Sequence, residues 1–428
     1  MIIKNIMLID PASNTQGIRD IYIDDGKITK IVDNGAEDVA PEAEQAEGAV
    51  FDGTGLVAAP GLVDVHVHFR DPGFEYKEDI FTGAKSAAAG GFTSVVMMAN
   101  TKPAIDNVDT LKAVLEKASK TDINVYTCAD ITEGLKGLNV TDMALLLSEG
   151  AVGFTDDGIP IKDAGVVEEA MKLAAELDVP LSFHEEDPAY ISENGINSDK
   201  AAKHFGIKGS PRQAEISLIE RDVKIAENIP VKVLIQHISS AEGVEIVRQA
   251  KKTNPNVFAE LTPHHFSLNE DAVIAKGTLA KMNPPLRTEN DRLALIQGLL
   301  DDTIEIISTD HAPHSVEEKA KELTQAPSGI IGLETSLGLG VTNLVKAGHL
   351  SLMKLLEKMT VNPAGLYKLD AGRIYEGGPA DLVIFNPDEQ WIVPEKFESK
   401  SCNTPFVGEK LYGKIHMTIC KGQIVYRQ

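Results

Sequence analysis

The chain of 428 residues contains only three cysteines and one tryptophan, and it is short of basic residues. Cys128, Cys402 and Cys420 show no paired spacing, which excludes a disulfide framework and favours a reducing compartment such as the cytoplasm. Against 41 lysines and arginines stand 64 aspartates and glutamates, giving a formal net charge of −23. Because a field of that sign repels phosphate backbones and anionic lipid, we expect neither nucleic acid nor membrane as a partner.

Long apolar runs are also missing from the sequence. None approaches the ~20 residues that a membrane-spanning helix requires. The first residues lack the charged start, apolar run and cleavage site of a signal peptide, so we expect a cytoplasmic protein. With 43% hydrophobic and 25% charged residues, the composition is that of an ordinary globular protein.

Eight short apolar runs alternate with helical stretches through the middle of the chain. Strands alternating with helices predict parallel pairing through right-handed crossovers, and eight such units predict an α/β fold closed as a (β/α)8 TIM-like barrel. An open, doubly wound sheet is the alternative, but no Gly-x-Gly-x-x-Gly turn follows a strand. The predicted strands are 62–67, 93–99, 123–129, 151–155, 180–183, 231–236, 257–262 and 303–309.

Both ends of the chain show the alternation of apolar and polar residues that is typical of β-strands. We expect residues 1–55 and 370–428 to form one small β-sandwich domain, and residues 56–369 to form the barrel. Segment 35–48 is rich in glutamate and alanine without an apolar face, which predicts a solvated loop.

The first predicted barrel strand carries two histidines, His66 and His68, two positions apart. Residues so spaced share one face of a strand, so both imidazoles would project together. Alone, the pattern is more typical of a half-buried strand whose histidines bond to the backbone. However, eight of the 11 histidines follow predicted strands, where barrel active sites form. The polar residues at these strand ends are His66, His68, Arg70, Asn100, Asp156, Asp157, His184, Glu185, Glu186, His237, His264, His265, Asp310, His311 and His314.

This set of histidines and aspartates indicates a metal site, and two ions suit it better than one. It exceeds the three protein ligands of a mononuclear catalytic zinc, and a carboxylate can bridge two ions about 3.5–4 Å apart. Imidazole and carboxylate ligands suit Zn²⁺ first, with Mn²⁺ or Co²⁺ as substitutes. We therefore expect two zinc ions per chain.

Nine segments together resemble the dihydroorotases, and more narrowly the bacterial type I enzymes of the amidohydrolase superfamily, and a tenth, 377–385, resembles that superfamily's return to the β-sandwich. The resemblance implies reversible, zinc-dependent cyclisation of N-carbamoyl-L-aspartate to L-dihydroorotate and water in the de novo synthesis of UMP. His-x-His alone would not be specific, but the combination is. The segments are DVHVHFRDPG (64–73), GGFTSVVMMANTKP (90–103), GFTDDG (153–158), FHEED (183–187), QHIS (236–239), LTPHH (261–265), KMNPPLR (281–287), STDHAPH (308–314), GIIGLET (329–335) and GGPADLVIF (377–385).

The resemblance also implies a metal-ligand set. Many relatives bridge their two ions with a carboxylated lysine, but the nearest lysine to the fourth strand end is Lys162, so we expect a carboxylate bridge. Asp157 is the implied bridge and Asp156 is the competing choice. The implied ligands are His66, His68 and Asp310 on one zinc ion, His184 and His237 on the other, and Asp157 between them.

By the same resemblance, Asp310 would be the catalytic residue that carries the proton to and from the ring nitrogen. Arg70 would bind the substrate carboxylate that is not attacked. Its alternative is a surface ion pair with Asp71 or Glu75, and Asn100 and Asn283 could merely cap turns. We interpret His264 and His265 as packing groups. The implied substrate contacts are His68, Arg70, Asn100, Asn283, His314 and the backbone of Ser328 and Gly329.

Two other functions compete with this hypothesis. A hydantoinase or allantoinase would share the fold and metals, but the missing bridging lysine and the presence of Arg70 and His314 argue against it. A non-catalytic partner of a pathway enzyme such as aspartate transcarbamoylase would typically have lost metal ligands, which are complete here.

We further expect a homodimer and association with aspartate transcarbamoylase. We also expect the loop 311–327 to close over the substrate as a lid; the alternative is that this loop is an ordered surface segment.

Overall fold

The structure, a computed structural model, describes residues 1–33 and 50–428, so the predicted loop at 35–48 lies outside the described residues. The described strands are β1 (Ile2–Asp10), β2 (Thr15–Asp24), β3 (Lys27–Asp33), β4 (Val50–Asp52), β5 (Val57–Pro60), β6 (Leu62–Val67), β7 (Phe92–Met97), β8 (Asn124–Thr127), β9 (Phe154–Thr155), β10 (Pro180–Phe183), β11 (Lys232–Ile235), β12 (Val257–Leu261), β13 (Ile306–Ile307), β14 (Leu382–Ile392), β15 (Lys410–Cys420) and β16 (Gln423–Arg427).

Strands β6 to β13 form a closed parallel barrel. Strands β6–β8 make one sheet and β9–β13 make another. Parallel bridges from Ala129 to Phe154 and from Val67 to His311 join the two sheets at both seams. The predicted (β/α)8 fold is therefore confirmed, and an open sheet is excluded.

Helices surround the barrel and follow its strands. Several begin at side-chain caps: Asp79 and Thr288 each form a reciprocal capping box, which satisfies backbone N–H groups that a helix start leaves free. The described helices are α1 (Ile80–Ala89), α2 (Val108–Ala118), α3 (Met143–Ser148), α4 (Ala164–Leu177), α5 (Lys200–Phe205), α6 (Gln213–Ala226), α7 (Ala241–Ala250), α8 (Pro263–Ser267), α9 (Asp271–Lys276), α10 (Glu289–Leu300), α11 (Val316–Lys319), α12 (Ser336–Gly340), α13 (Leu352–Met359) and α14 (Val361–Leu366). None of these described helices has the length and apolar character needed to cross a bilayer.

Two barrel strands are much shorter than their apolar runs predict. Strand β9 is limited to Phe154–Thr155 and β13 to Ile306–Ile307. The preceding apolar residues instead close helix ends: the Ala151 amide donates to the Leu146 carbonyl, and the Ile304 amide donates to the Gly298 carbonyl. Apolar character marks these residues as buried but does not distinguish a strand from a helix terminus.

The two ends of the chain form one mixed eight-stranded sheet, ordered β16-β15-β14-β5-β1-β2-β3 with β4 beside β1. Alternate residues face opposite sides, as a strand requires. Ala58 and Ile384 belong to the sheet's own core, whereas Ala59 and Val383 belong to the core shared with the barrel. Strand β5, after residue 55, also lies in this sheet; the exact domain division at 1–55, 56–369 and 370–428 stays a prediction.

Gly61 joins the terminal sheet to the first barrel strand, and its packing generates a prediction. A methyl group there would lie 2.1 Å from the Thr93 hydroxyl oxygen, inside a fully buried contact. Gly61→Ala should lower the free energy of unfolding by about 1–3 kcal/mol through overpacking. Urea denaturation measures the change.

Gly365 provides the matched control for that substitution. It is exposed near the end of α14, and an added methyl group would meet no atom within 4 Å. Gly365→Ala should raise the free energy of unfolding by about 0.5–1 kcal/mol, because alanine favours the helix. Equal effects of the two substitutions would contradict the packing argument.

Candidate active site

The carboxyl end of the barrel brings together two groups of potential metal ligands. One consists of His66, His68 and Asp157, and the other of Asp157, His184 and His237. Within each group the candidate ligand atoms lie within 4.8 Å of one another, and all five residues are buried. These side chains come from four strand ends, β6, β9, β10 and β11, far apart in the sequence. The described clusters are therefore compatible with a metal site.

Asp157 is the residue shared by both groups. Its Oδ2 lies 3.4 Å from His68 Nε2, and its Oδ1 lies 3.6 Å from both His66 Nε2 and His184 Nδ1. These separations exceed ordinary hydrogen-bond lengths and suit groups that share a cation. Asn100 Nδ2 donates to Asp157 Oδ2 over 3.0 Å and so fixes the carboxylate.

The neighbouring Asp156 has a different environment. Its Oδ1 accepts hydrogen bonds from the backbone amides of Ile131 (2.8 Å) and Thr132 (3.0 Å), and its Oδ2 accepts one from the Thr132 hydroxyl. Burial raises the pKa of Asp156 to about 6 although these donors oppose it. Asp156 thus anchors the loop after β8, whereas Asp157 faces the histidines.

Asp310, at the end of the last barrel strand, lies next to the histidines at the end of the first barrel strand. Its Oδ1 lies 3.0 Å from His68 Nε2 and 3.5 Å from His66 Nε2. Asp310 has a backbone φ of 48°, and Arg70 and His237 have φ of 60° and 30°. Non-glycine residues in this left-handed region store strain that the surrounding fold must hold, and such positions concentrate at functional sites.

A carboxylate oxygen and a side-chain amide oxygen orient the histidines of the first strand. Glu260 Oε1 lies 2.5 Å from His66 Nδ1, and Asn100 Oδ1 lies 3.0 Å from His68 Nδ1. If each Nδ1 donates its proton to its oxygen, each Nε2 is left with a lone pair toward Asp157 and Asp310. Such support is what ligating histidines usually require.

Glu260 was not among the residues predicted for the site, although it contacts two of its histidines. Its Oε1 also accepts a hydrogen bond from the His237 backbone amide over 3.2 Å. The side chain is fully buried on β12. The signal in the sequence is a lone charge inside the apolar run 257–261, which is costly unless it has partners.

Asp64 was missed in the same way. It is fully buried on β6 and accepts hydrogen bonds from the backbone amides of His66 (3.0 Å) and Thr309 (3.1 Å). Burial raises its pKa to about 7 against the effect of these donors. Asp64 therefore links the first and last strands of the barrel directly beneath the candidate ligands.

The pKa values of the clustered histidines and of Asp157 depend strongly on one another's charges. Burial lowers the pKa of His66, but Glu260 and Asp157 outweigh it and raise the pKa to about 10. Burial raises the pKa of Asp157, yet the adjacent imidazole of His184 and the charges of His66 and His68 hold it well below its usual range. Burial and the neighbouring imidazoles of His184 and His66 lower the pKa of His237. An anionic carboxylate among imidazoles is a donor set suited to a divalent transition metal.

Unpartnered nitrogen atoms provide a direct test of whether a metal fits. Among the described residues, His66 Nε2 is buried without a hydrogen-bond partner. His184 Nδ1 and His237 Nε2 face each other over 3.0 Å beside Asp157. Buried polar atoms normally have partners, so a nitrogen left free at a carboxylate-rich centre fits a role as metal ligand. The donor set passes this test.

A pocket of about 190 Å³ opens above the cluster. Asn283 Nδ2 lies 3.4 Å from His184 Nε2, while Asn283 Oδ1 is buried without a partner among the described residues. All predicted substrate contacts line this pocket. Its lining is His68, Arg70, Asn100, Asp157, Gly158, His184, His237, Asn283, Asp310, Ala312, His314, Ser328 and Gly329.

Arg70 faces this pocket and does not form the alternative surface pair. Its Nε donates to the Pro313 carbonyl over 3.3 Å, whereas Asp71 pairs with Lys117 at 2.6 Å. Burial lowers the pKa of Arg70, although Asp310 and Asp157 oppose that shift. A half-buried guanidinium beside a small polar pocket is suited to an anionic ligand.

The remaining histidines at the strand ends have other partners. His265 Nδ1 lies 2.7 Å from the Thr262 hydroxyl, and its Nε2 lies 3.0 Å from the Pro284 carbonyl. His311 Nδ1 accepts from the Gly332 amide over 3.2 Å, and its Nε2 faces Glu78. His264 is buried against the ring of His265. These contacts agree with packing roles.

The loop 311–327 has polar anchors that its sequence pattern did not reveal. Lys281 Nζ donates to the carbonyls of Leu323 (2.8 Å) and Ala326 (2.7 Å), and the Thr278 hydroxyl donates to the Lys319 carbonyl (2.6 Å). The loop also contains the short helix α11. Its closure over a substrate stays a prediction.

Replacing Glu260 tests whether it positions the ligands. Glu260→Gln keeps the size of the side chain but removes its charge and the strong acceptor for His66. We expect the affinity for added Zn²⁺ to fall by about 10–100-fold, since support of this kind orients metal-bound histidines. Competition with a chromogenic chelator measures that affinity.

The control is Glu305→Gln, near the amino end of β13, where Glu305 pairs with Lys251. This substitution should leave the Zn²⁺ affinity unchanged. Equal affinities of Glu260→Gln and the unmodified chain would show that Glu260 does not hold the ligand geometry.

Comparisons with known proteins agree with this geometry. Residues 55–243 match the family described as Dihydro-orotase-like, and residues 342–426 match the amidohydrolase family. The chain is 55% identical over 426 residues to a dihydroorotase of Clostridioides difficile, covering 100% of this chain and 99% of that one. It is 51% identical over 428 residues to a dihydroorotase of Streptococcus thermophilus, covering 100% of both chains.

Solved structures share the fold at lower identity. An L-hydantoinase (dihydropyrimidinase) from Arthrobacter aurescens superposes with a TM-score of 0.86 at 25% identity, covering 100% of this chain and 96% of that one. A dihydropyrimidinase from Brevibacillus agri gives a TM-score of 0.85 at 23% identity, covering 100% and 95%. The second likeness concerns the fold alone.

Proposed function

The chain belongs to the dihydroorotase family, and we propose that it catalyses the reversible cyclisation of N-carbamoyl-L-aspartate to L-dihydroorotate and water. The observation that carries this proposal is the composition of one pocket. A metal-compatible cluster of histidines and Asp157 lies at its base, and the half-buried cation Arg70 lies in its wall. A cyclic amide that also bears a carboxylate needs both features.

We propose that the cluster holds two zinc ions. His66, His68 and Asp310 would bind one ion, and His184 and His237 the other, with Asp157 shared between them. Asp157 supports this arrangement because it belongs to both groups of candidate ligands. When bound, the zinc ions would supply Lewis acidity, polarising the carbonyl under attack and making water nucleophilic near neutral pH.

Asp310 is the proposed general acid–base residue. Its carboxylate lies at hydrogen-bond distance from His68 Nε2 and lines the pocket, so it can reach both water and substrate. In hydrolysis it would accept the proton of the attacking water and return it to the departing ring nitrogen. In cyclisation it would accept the proton of the attacking ureido nitrogen and return it to the carboxyl oxygen whose bond to carbon breaks, which leaves as water.

Arg70 would bind the carboxylate that does not react, through two parallel hydrogen bonds. Asn100 and His314 line the same pocket and would assist, while Asn283 would contact the ring. The backbone of Ser328 and Gly329 would read the ring amide. Holding both ends of the substrate would fix the reacting carbonyl over the cluster, which is a large part of catalysis.

A hydantoinase-type activity on cyclic amides without a carboxylate is the competing function, since solved hydantoinases share the fold. Two features favour dihydroorotate. No lysine lies among the described residues that line the pocket, so a carboxylated-lysine bridge has no donor there. Arg70, in contrast, would have no partner on a neutral ring such as hydantoin.

The wider setting of the reaction also belongs to this proposal. The product would enter de novo pyrimidine synthesis leading to UMP, in the cytoplasm. A homodimer and association with aspartate transcarbamoylase rest on the family resemblance alone, and sedimentation of the purified chain with and without that enzyme tests both.

Asp310→Asn tests the proton transfer. The substitution keeps the shape of the side chain but removes its basicity, so hydrolysis of L-dihydroorotate should slow by about 10²–10⁴-fold. Zinc should remain, because the histidines of both groups and Asp157 are intact. Turnover is followed by absorbance and zinc content by mass spectrometry.

The matched control is Asp301→Asn, in the exposed turn after α10, where Asp301 pairs with Arg248. Its turnover should equal that of the unmodified chain. Full activity of Asp310→Asn would remove Asp310 from the mechanism, whereas loss of zinc from the variant would show that Asp310 is needed as a ligand and would leave the proton transfer unsupported.

Arg70→Ala tests recognition of the carboxylate. L-dihydroorotate and 5,6-dihydrouracil share one ring and differ by the carboxylate. The unmodified chain should prefer L-dihydroorotate, and Arg70→Ala should raise the KM for it roughly ten- to 100-fold, because a charge-assisted hydrogen bond is lost. Steady-state kinetics with both compounds, and with hydantoin and allantoin, measure the preference.

Arg248→Ala, on the surface of α7, provides the control and should change neither KM. A preference of the unmodified chain for dihydrouracil, hydantoin or allantoin would overturn the proposed function. If Arg70→Ala weakened all substrates equally, Arg70 would not be the carboxylate-binding residue.

A further inference from the structure

We infer that Asn403, which lies outside the barrel, is a positioning residue for this reaction because it holds together the two chain segments that carry His314 and Gly329. The inference rests on the proposed function, in which those two residues contact the substrate. Asn403 belongs to the connection between β14 and β15 of the terminal sheet, and no strand-end pattern in the sequence predicts a role for it.

The Asn403 side chain uses both ends of its amide. Oδ1 accepts a hydrogen bond from the His314 backbone amide over 3.0 Å. Nδ2 donates to the carbonyls of Ala312 and Gly329, each over 3.1 Å. Asn403 is buried. One side chain therefore joins the start of the loop after β13 to its end, 15 residues later.

The backbone of the same connection strengthens this junction. The Asn403 carbonyl accepts a hydrogen bond from the Ile331 amide over 3.1 Å. Upstream, Glu78 accepts hydrogen bonds from the Ser399 hydroxyl and from the Lys400 amide, the latter over 3.1 Å. The connection is thus fixed to the loop after the first barrel strand before it reaches the loop after the last.

The Gly329 carbonyl receives a second donor from the opposite side. Lys319 Nζ donates to it over 3.0 Å and to the Pro327 carbonyl over 2.9 Å. Gly329 has a φ of 109°, a conformation that favours glycine, and an added methyl group would lie 2.7 Å from the Ala312 side chain. A backbone in that conformation depends on outside contacts, which Asn403 and Lys319 provide.

These contacts matter for catalysis because they hold the surface that would bind the substrate. His314 Nε2 lies 2.8 Å from the Ser328 carbonyl, so the ring and the backbone at 328–329 line the pocket as one unit. Asn403 touches neither the substrate nor the candidate metal ligands. Its loss should therefore weaken binding of the substrate in ground state and transition state alike, which raises KM more than it changes kcat.

The experiment compares two substitutions of Asn403 in the full, zinc-loaded chain. Asn403→Ala removes all three side-chain contacts, whereas Asn403→Asp keeps the acceptor for His314 and removes both donors. Both should raise the KM for L-dihydroorotate by roughly tenfold or more, because buried backbone carbonyls lose their donors. Hydrogen exchange of the His314 amide should become faster in Asn403→Ala but not in Asn403→Asp.

Asn254→Ala provides a matched control at the opposite end of the barrel. Asn254 is buried before β12, its Nδ2 donates to the Ala226 carbonyl over 2.9 Å, and its Oδ1 accepts from the Asn256 amide over 3.0 Å. This substitution should lower thermal stability with KM unchanged. Lys319→Met removes the other donor to Gly329 and should also raise KM. This variant provides the test if Asn403→Ala does not fold.

The outcomes are distinct. A raised KM for Asn403→Ala and Lys319→Met, with zinc content unchanged, supports the inference. A loss of stability with unchanged KM, as for Asn254→Ala, overturns it and leaves Asn403 a structural residue. If the unmodified chain does not hydrolyse L-dihydroorotate, the proposed function fails. Unchanged hydrogen exchange of the His314 amide in Asn403→Ala would show, independently of activity, that Asn403 does not hold the loop.

Discussion

The candidate active site depends on one buried carboxylate, that of Asp157, which lies among four imidazoles. A charged carboxylate inside a barrel is costly unless opposite charges and hydrogen-bond donors surround it. His66, His68 and His184 supply those partners, and they come from strands separated by more than 100 residues. The same contacts that make the charge tolerable also create a donor set that a divalent cation can use.

Further buried acids keep this cluster in place. Glu260 contacts both His66 and the backbone of His237, and Asp64 joins the first barrel strand to the last. Removing one partner from such a network leaves another polar group unpaired, so the network acts as a unit. Rigidity at the strand ends follows, as the unusual backbone conformations of Arg70 and Asp310 require.

The walls of the pocket depend on more than the barrel. Glu78 and Asn403 connect loops of the barrel to the segment between β14 and β15, so the terminal sheet and the loop that follows β13 are structurally linked. The side chains and backbone of the connection between β14 and β15 thus form hydrogen bonds with the loops at the carboxyl end of the barrel.

The sequence by itself determined the class of fold and the chemistry available. Apolar runs at regular spacing specify buried parallel strands, and histidines and aspartates after those runs must meet at one end of a barrel. Only the tertiary structure shows that Asp157 faces the histidines while Asp156 binds the loop after β8, because adjacent residues on a turn point in different directions. It also shows the contacts of Glu260, Asp64 and Asn403, since their partners are distant along the chain and hydrogen-bond geometry leaves no local pattern in a single sequence.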